Sequence, residues 1–254
     1  MPAPIILVHG AFCGGWAFDR FREPLEEAGY ACDAIDLTGH RGAGDRVGVT
    51  GVSMGRYAAD VAQLASRCET PPILIGHSLG GLIAAMAASR ARTAGVIMLA
   101  PSAPWGVAGA SMEETVSAVG LYSLGAYWAQ PIDPDFSLAR QYSLDRLPAE
   151  ERDGIFSRMV PESGRALWET LNWWLDPFMT TRLAPGPIGA PVLTIAGGQD
   201  RIHPPSTVQR TALMLGADTQ IFPNMSHWLI GEPGWEAVAE ACLEWAGREK
   251  RVAA

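Results

Sequence analysis

Short apolar runs alternate with longer amphipathic stretches along the first hundred residues of the chain. The apolar runs occupy residues 5–8, 30–35, 73–75 and 95–100, and the amphipathic stretches occupy residues 18–28, 53–68 and 79–90. Continuous apolar runs of this length are typical of strands buried on both faces of a parallel sheet. Helix signals accompany the stretches between them, because Ser53 can cap a helix and Gly29 can end one. This alternation predicts an α/β fold with a mostly parallel sheet and helices on both faces.

The alternation is interrupted in the middle of the chain. Residues 101–187 contain no convincing buried strand and are rich in aromatic residues. Strand-like runs resume at residues 192–195 and 219–222. Since the same pattern continues on both sides of the interruption, we interpret the middle segment as an insertion between two strands of one sheet, and not as a separate second half of the molecule.

The insertion has a recognisable end. Residues 184–191 are rich in Pro and Gly, as is typical of a linker that returns to the sheet. We therefore expect residues 1–100 and 188–254 to form one core. Residues 101–187 are expected to form a helical cap that lies over the carboxyl ends of the strands, where parallel sheets bind their ligands.

A Gly-His-Ser-Leu-Gly-Gly motif begins at Gly76, directly after the third apolar run and before the third helical stretch. In this context the serine is placed on a turn so tight that only very small residues fit two positions away, which accounts for Gly76 and Gly80. The turn would push the Ser78 hydroxyl into the cleft and aim the Leu79 N–H at the same space. We predict Ser78 as a nucleophile; an ordinary Gly-rich strand-to-helix turn is the alternative.

A serine hydroxyl needs a base, and histidine has the side chain with an unperturbed pKa near neutrality. The chain offers His9, His40, His77, His203 and His227. His9 and His40 lie in or beside Gly-rich loops. His77 flanks Ser78, and His203 follows too closely on the candidate acid. His227 follows the run 219–222 near the end of the chain, as the order nucleophile, acid, base requires. We predict His227 as the base; a solvated surface histidine is the alternative.

The base needs a carboxylate that orients it. Asp200 follows a strand-like run directly, in the sequence Gly-Gly-Gln-Asp. Asp36 also ends an apolar run, but it precedes Ser78 and is interpreted as structural. The run 95–100 is followed by Pro-Ser-Ala-Pro, which has no carboxylate. We therefore predict Asp200 as the acid, with a turn Asp that caps local N–H groups as the alternative.

An oxyanion hole needs a second N–H group beside that of Leu79. The Gly-rich loop at residues 9–15 follows the first strand and can supply it. Ala11 is the first candidate for the donor and Phe12 the second. The Phe12 ring is alternatively placed against a substrate, and a Gly-rich turn with no donor role is the remaining interpretation.

Composition and charge limit the classes of molecule that this protein is expected to bind. Apolar residues make up 48% and charged residues 18% of the 254 residues, as in an ordinary folded domain. The net charge of −8 repels phosphate backbones and anionic membrane surfaces, so neither nucleic acid nor membrane is an expected partner. A small molecule is the expected partner, and the sequence leaves the oligomeric state open.

The cysteines indicate whether the protein is expected in a reducing or an oxidising cellular compartment. The chain has four, Cys13, Cys32, Cys68 and Cys242, with no CxxC pair and no histidine at metal-ligand spacing. We expect free thiols in a reducing environment and neither metal nor cofactor. The N-terminal residues show no signal-peptide pattern, and no apolar run approaches the ~20 residues of a membrane span, so a cytoplasmic location is expected.

Together these motifs resemble the α/β-hydrolase superfamily. The resemblance rests on the His-Gly loop at 9–15, the motif at 76–81, the Asp200 turn and the His227 loop, which span almost the whole chain except the cap. It implies the corresponding fold and a catalytic triad. Haloalkane dehalogenases and epoxide hydrolases share this fold but use an aspartate as nucleophile, so Ser78 argues against both.

The loop His-Gly-Ala-Phe-Cys-Gly-Gly-Trp that begins at His9 looks most like the first loop of plant methyl esterases and the related hydroxynitrile lyases. That resemblance implies that the N–H groups of Ala11 and Leu79 form the oxyanion hole. The lyases usually carry Thr at the position of Gly10 and a Lys near the catalytic histidine. No Lys precedes His227 here, which weakens the lyase interpretation.

The predicted function is a serine-dependent hydrolase that cleaves a small, largely apolar ester through Ser78, His227 and Asp200. The same triad also supports lactone, thioester or C–C bond hydrolysis, lyase activity or perhydrolysis, since fold and triad do not determine the reaction. A ligand receptor that retains the triad is a third alternative from another class.

Aromatic residues are the candidates for the substrate pocket. Phe12, Trp105, Trp128, Trp173 and Trp228 are expected to line it, because ligand pockets are lined mainly by apolar and aromatic side chains. The alternative is that these rings fill the core of the cap itself.

Overall fold

The computed structural model describes residues 2–109, 121, 124–186 and 188–252 of the chain. The strands in these residues are β1 (Ile5–Val8), β2 (Cys32–Ile35), β3 (Ile73–His77), β4 (Gly95–Leu99), β5 (Pro131–Ile132), β6 (Glu162–Ser163), β7 (Val192–Gly197) and β8 (Asp218–Phe222). Six of them form one sheet in the order β2-β1-β3-β4-β7-β8, and each neighbouring pair in it is parallel. The predicted α/β fold class with a parallel sheet is therefore confirmed.

Helices connect the strands and cover the sheet. The α-helices of the described residues are Arg22–Glu27, Arg46–Val49, Met54–Arg67, Leu79–Ala88, Phe136–Leu138, Ala149–Phe156, Gly164–Leu171, Pro205–Leu215 and Trp235–Val252. Ile5 and Leu7 of β1 belong to one core cluster, whereas Ile6 and Val8 belong to a second. Successive side chains of a strand point to opposite faces, so the two clusters bury the two faces of the sheet. This confirms the expected helices on both faces.

The helix Met54–Arg67 illustrates how local signals and burial agree. Ser53 precedes it in an extended conformation, and its hydroxyl oxygen accepts a hydrogen bond from the Gly55 N–H at 2.9 Å. Met54, Tyr57 and Val61 are fully buried along one face of the helix. The predicted helical stretch and its predicted cap are both present.

The first helical stretch differs from the prediction. The sequence predicts one helix over residues 18–28, but the structure has a 3-10 helix at Gly15–Phe18 and an α-helix at Arg22–Glu27. Pro24 explains the late start of the α-helix, because proline has no N–H and is tolerated only in the first turn. Gly29 follows the helix at φ +87°, as expected of a terminating glycine.

The chain between β4 and β7, residues 100–191, is called the cap segment here. Its described residues form short helices and an antiparallel ladder that pairs Pro131 with Ser163 and Ile132 with Glu162, outside the main sheet. These strands have two residues each, too few for a periodic pattern to reveal them. The predicted boundary at residue 187 lies outside the described residues, and the division into core and cap stays a prediction.

Candidate active site

Ser78 lies between β3 and the helix Leu79–Ala88 in a strained backbone conformation. Its φ of +54° and ψ of −120° are rare for a residue with a side chain. The Ser78 N–H donates to the Leu99 carbonyl at 2.8 Å, and the Ser78 carbonyl accepts from the N–H groups of Gly81 at 3.0 Å and Ser102 at 3.1 Å. The predicted tight turn at Ser78 is present, and hydrogen bonds to the backbone of Gly81, Leu99 and Ser102 hold its conformation.

The glycines around Ser78 are required by close packing. A Cβ on Gly76 would collide with the carbonyl of Gly80, and a Cβ on Gly80 would collide with the carbonyl of Val8 in β1. A Cβ on Gly10 would lie 3.1 Å from the Cβ of Ser78. The predicted need for small residues at 76 and 80 is confirmed, and the Gly10 contact brings the Gly-rich loop directly against the serine.

Ser78, His227 and Asp200 form one chain of hydrogen bonds. The Ser78 Oγ lies 3.0 Å from His227 Nε2, and His227 Nδ1 lies 2.8 Å from Asp200 Oδ2. His227 and Asp200 are buried, with 4% and 3% of their surface exposed. The structure therefore brings together the three residues that the sequence predicts, at the carboxyl ends of β3, β7 and β8.

The Asp200 carboxylate is held in the orientation that a base requires. Its Oδ1 accepts from the N–H groups of Ile202 at 2.8 Å and His203 at 2.9 Å, which leaves Oδ2 for His227. Burial alone would raise the pKa of Asp200, but the neighbouring His227 and these hydrogen bonds lower the pKa below its ordinary value. The carboxylate stays ionised and can fix the tautomer in which His227 Nδ1 carries the proton.

Two glycines allow the acid turn to reach the histidine loop. A Cβ on Gly197, at the end of β7, would collide with the carbonyl of Ser226, and a Cβ on Gly198 would lie 2.6 Å from the Cα of Pro223. The Gly-Gly pair before Gln199 therefore serves close backbone approach, which places Asp200 within hydrogen-bond distance of His227.

The backbone of the His227 loop has two supports that the sequence reasoning missed. His77 Nε2 donates to the His227 carbonyl at 2.8 Å, and Glu232 Oε1 accepts from the Ser226 N–H at 2.5 Å. Burial and the nearby His227 lower the pKa of His77 to about 3, so its ring is neutral. Burial raises the pKa of Glu232 to about 7. A carboxylate within an otherwise apolar stretch after His227 was the available signal for Glu232.

The remaining histidines serve the backbone or neighbouring side chains. His9 Nε2 accepts from the Leu37 N–H at 3.0 Å, which ties the Gly-rich loop to the end of β2. His203 Nε2 lies 3.0 Å from Ser102 Oγ, and burial lowers the pKa of His203 to about 4. The centroid of its ring lies 5.4 Å from that of His227, so a neutral imidazole packs beside the candidate base.

The three candidate oxyanion donors differ in whether their N–H groups have a hydrogen-bond acceptor. These candidates are Ala11, Phe12 and Leu79. Leu79 is the first residue of its helix, so its N–H has no acceptor within the helix. The Ala11 N–H likewise has no acceptor among the described residues. The Phe12 N–H donates to Glu162 Oε2 at 3.4 Å. The Phe12 N–H is thus turned toward a buried carboxylate of the cap segment, which favours Ala11 over Phe12, and the assignment of the donors stays a prediction.

Apolar residues of the cap segment lie beside the Gly-rich loop at residues 9–15, which is called the oxyanion loop here. Ala11 and Phe12 pack against a buried cluster of Tyr127, Ile132 and Leu167, and three partly buried residues of the cap segment, Leu121, Trp168 and Leu171, pack against the same cluster. The sequence reasoning did not single out these six residues, because their helical and irregular segments show no feature that separates substrate contact from packing inside the cap.

The predicted pocket tryptophans lie in three different places. Trp105 and Trp173 pack against each other with ring centroids 5.5 Å apart, whereas Trp128 is 43% exposed and contacts Trp168 at 6.4 Å. Trp228 is 4% exposed and belongs to the main core, where its ring packs edge-on against His77. Trp228 thus packs in the core beside His77, and its expected contact with a substrate stays a prediction.

The described residues also bear on metal binding, disulfide bonds and membrane spans. There, no three His, Cys, Asp or Glu side chains come together as a metal-ion site. Cys13, Cys32, Cys68 and Cys242 are all free thiols. None of the described helices is both long enough and apolar enough to span a bilayer.

This sheet order, with a serine on a strained turn between a strand and a helix, defines the α/β-hydrolase class. Residues 5–241 match the alpha/beta hydrolase family, and the chain belongs to that family. It is an enzyme of the carboxylesterase type, and its fold resembles that of plant methylesterases.

Individual relatives agree with this class. A pyrethroid hydrolase from Sphingobium wenxiniae is 46% identical over 77 residues, which cover 30% of this chain and only 27% of that protein. A carbendazim hydrolyzing esterase from Nocardioides is 25% identical over 254 residues, with 94% of this chain and 91% of that protein covered. A solved structure of a methylesterase from Arabidopsis has a TM-score of 0.71 at 18% identity and covers 96% of this chain and 99% of that one. These relatives support ester hydrolysis as the general reaction.

Proposed function

We propose that the protein is a serine-dependent hydrolase that cleaves small, largely apolar carboxylic esters through an acyl-enzyme on Ser78. The observation that carries the proposal is the continuous hydrogen-bonded chain from Ser78 Oγ through His227 to Asp200. Strained backbone at Ser78 adds support, because such strain persists where surrounding structure holds a reactive group in position.

The first half of the reaction forms the acyl-enzyme. Ser78 Oγ attacks the ester carbonyl carbon while its proton passes to His227 Nε2, and Asp200 stabilises the imidazolium that results. The N–H groups of Ala11 and Leu79 hold the oxyanion, each worth roughly 3 kcal/mol by analogy with other oxyanion holes. His227 then gives the proton to the leaving alkoxide oxygen as the C–O bond breaks, which releases the alcohol.

The second half regenerates the enzyme. A water molecule gives a proton to His227 Nε2 as its oxygen attacks the acyl carbon, and the same N–H groups hold the second oxyanion. Collapse of this intermediate breaks the bond to Ser78 Oγ, which takes the proton back from His227. The carboxylic acid leaves, and no cofactor is needed to balance the reaction.

The apolar nature of the substrate is supported by the apolar residues beside the oxyanion loop. Ala11 and Phe12 pack against the buried cluster of Tyr127, Ile132 and Leu167, so the described surroundings of the proposed oxyanion loop are hydrophobic. Relatives named as a pyrethroid hydrolase and a carbendazim hydrolyzing esterase support a small organic molecule as the substrate. A small uncharged acyl or alcohol group fits such surroundings better than an ionised one.

The test compares Ser78→Ala with Ser89→Ala, which lies at the other end of the same helix. On p-nitrophenyl acetate, Ser78→Ala should lose about a thousandfold or more in kcat and all fluorophosphonate labelling, whereas Ser89→Ala should match the wild type. The wild type should prefer p-nitrophenyl butyrate to the charged hemisuccinate ester. Hydrolysis by Ser78→Ala at the wild-type rate would overturn the mechanism, and a preference for the charged ester would overturn the substrate class.

A further inference from the structure

Glu162 of the cap segment has a buried carboxylate that receives four hydrogen bonds. Its side chain is fully enclosed. Oε1 accepts from the Tyr57 hydroxyl at 2.8 Å and from the Ser163 N–H at 2.7 Å. Oε2 lies 3.1 Å from His40 Nε2 and accepts from the Phe12 N–H at 3.4 Å. One cap residue therefore binds three separate segments of the core.

The Glu162 carboxylate and the His40 ring form a buried ion pair. Burial alone would raise the pKa of Glu162, but His40 and the donated hydrogen bonds lower it below the usual value. Burial alone would lower the pKa of His40, and the charge of Glu162 raises it instead. Both pKa shifts favour the charged forms, and in the ionised carboxylate both oxygens of Glu162 serve as acceptors.

Phe12 is held in a conformation that it would not adopt by itself. Its φ of +65° lies in the left-handed region, which is uncommon for a bulky side chain. The N–H of Phe12 donates to Glu162, and its carbonyl accepts from the Val160 N–H at 2.9 Å. Both backbone groups of this loop residue are thus bound by neighbouring positions of the cap segment.

The Glu162 contact orients the peptide unit that follows Ala11. The Phe12 N–H belongs to the peptide unit that joins Ala11 to Phe12, so its bond to Glu162 fixes the plane of that unit. The Ala11 N–H itself belongs to the unit before it, whose Gly10 carbonyl accepts from the Cys13 N–H at 3.4 Å and lies 2.8 Å from His9 Nδ1. Gly10, which precedes Ala11, packs closely against Ser78. A Cβ added to Gly10 would lie 3.1 Å from the Ser78 Cβ. Ala11 is therefore restrained from both sides.

We propose that Glu162 is a positioning residue: it turns the Phe12 N–H away from the reaction centre and holds the turn at residues 10–13 in the form that presents the Ala11 N–H to the developing oxyanion. The proposal rests on the serine-hydrolase function proposed above. It makes the oxyanion hole dependent on the cap segment, since the residue that orients the loop lies in β6 and not in the core sheet.

The test replaces the carboxylate by its neutral isostere in Glu162→Gln. A glutamine offers one acceptor oxygen and one NH2 group in place of two acceptor oxygens. The NH2 group can face His40 Nε2, which can become an acceptor, but it cannot accept from the Phe12 N–H. We expect kcat for p-nitrophenyl acetate to fall about 10- to 100-fold with KM within about twofold, because the loss falls on oxyanion stabilisation.

Glu169→Gln is the matched control. Glu169 is a second buried carboxylate of the cap segment, and its Oε2 accepts from the Met54 N–H of the core at 2.8 Å. It makes the same kind of cap-to-core contact but has no contact with the oxyanion loop. Glu169→Gln should leave kcat and KM close to those of the wild type, since Glu169 does not contact the Phe12 N–H.

A trifluoromethyl ketone inhibitor supplies a readout that a purely structural role would not change. Its hemiketal oxygen takes the place of the oxyanion, so Glu162→Gln should weaken its affinity by the factor lost in kcat/KM. An unchanged kcat in Glu162→Gln, or equal kcat losses in both variants, would overturn the positioning role while leaving the Ser78 mechanism intact. Should Glu162→Gln not fold, Glu162→Asp retains the charge, retracts it from Phe12, and should show the same split between kcat and KM.

Discussion

At the scale of single residues, charge and hydrogen bonding account for the arrangement around Ser78. Asp200 receives two backbone N–H groups on one oxygen and His227 on the other, so it has one orientation and one available acceptor for the base. His77 and Glu232 hold the backbone on either side of the same histidine. The proposed catalytic groups are thus held in position by hydrogen bonds with neighbouring residues.

Asp200→Asn tests the role of the orienting carboxylate. The amide has nearly the same shape, but its NH2 group facing His227 Nδ1 would favour the tautomer with the proton on Nε2, which cannot accept from Ser78. We expect a loss of about a thousandfold or more in kcat with little change in KM, as measured in serine hydrolases with this substitution.

Asp36→Asn is the control for that measurement. Asp36 also follows a strand, and its Oδ1 accepts from the Gly15 N–H at 2.9 Å, which an asparagine oxygen can do as well. Its kcat should stay within about threefold of the wild type, since one neutral hydrogen bond replaces a charge-assisted one. Comparable losses in Asp36→Asn and Asp200→Asn would contradict the orienting role of Asp200.

At the scale of secondary structure, strand ends and helix starts place the proposed site. β3 ends in the strained turn of Ser78, β7 ends in the Gly-Gly pair before Asp200, and β8 leads into the loop of His227. These elements are well determined by local signals where apolar runs and caps coincide. They are less well determined where a proline intervenes, as at Pro24, or where strands have two residues, as in β5 and β6.

The N-cap of the helix Met54–Arg67 provides the test at this scale. Ser53→Ala removes the acceptor of the Gly55 N–H, and the free energy of unfolding should fall by about 1 kcal/mol. Ser66→Ala, on an exposed position of the same helix, should leave stability unchanged or raise it slightly because alanine favours helices. Urea denaturation of both variants measures the difference. Equal effects of the two substitutions would show that the cap contributes nothing.

At the scale of the whole molecule, burial of ionisable groups makes the stability of the fold depend on pH. Glu232 is 1% exposed, and burial raises its pKa from 4.5 to about 7. A raised pKa means that the folded state prefers the protonated carboxyl. Its contribution to stability is therefore full below pH 4.5 and is lost as the pH rises to about 7. The lowered pKa of Asp200 acts oppositely, and its contribution is lost only in acid.

Glu232→Gln should remove the first of these dependences. Glutamine can still accept from the Ser226 N–H but cannot ionise, so the variant should be more stable than the wild type at pH 8 by up to about 3 kcal/mol. Near pH 4.5 the two proteins should differ little. Urea unfolding at both pH values measures this, with the exposed Glu240→Gln as control. A stability difference that is the same at both pH values would contradict the shifted pKa.

The sequence by itself determined the α/β fold class, the strand ends and the three residues that hydrogen-bond as Ser78, His227 and Asp200. It could do so because each carries a local signal: an apolar run, a required glycine, or a position in the order of the chain. The tertiary structure alone decided that the Phe12 N–H meets Glu162, that Trp228 packs against His77, and that Glu232 supports the histidine loop. Phe12 and Glu162 are 150 positions apart, and no local pattern records a contact made only when the cap segment packs on the core.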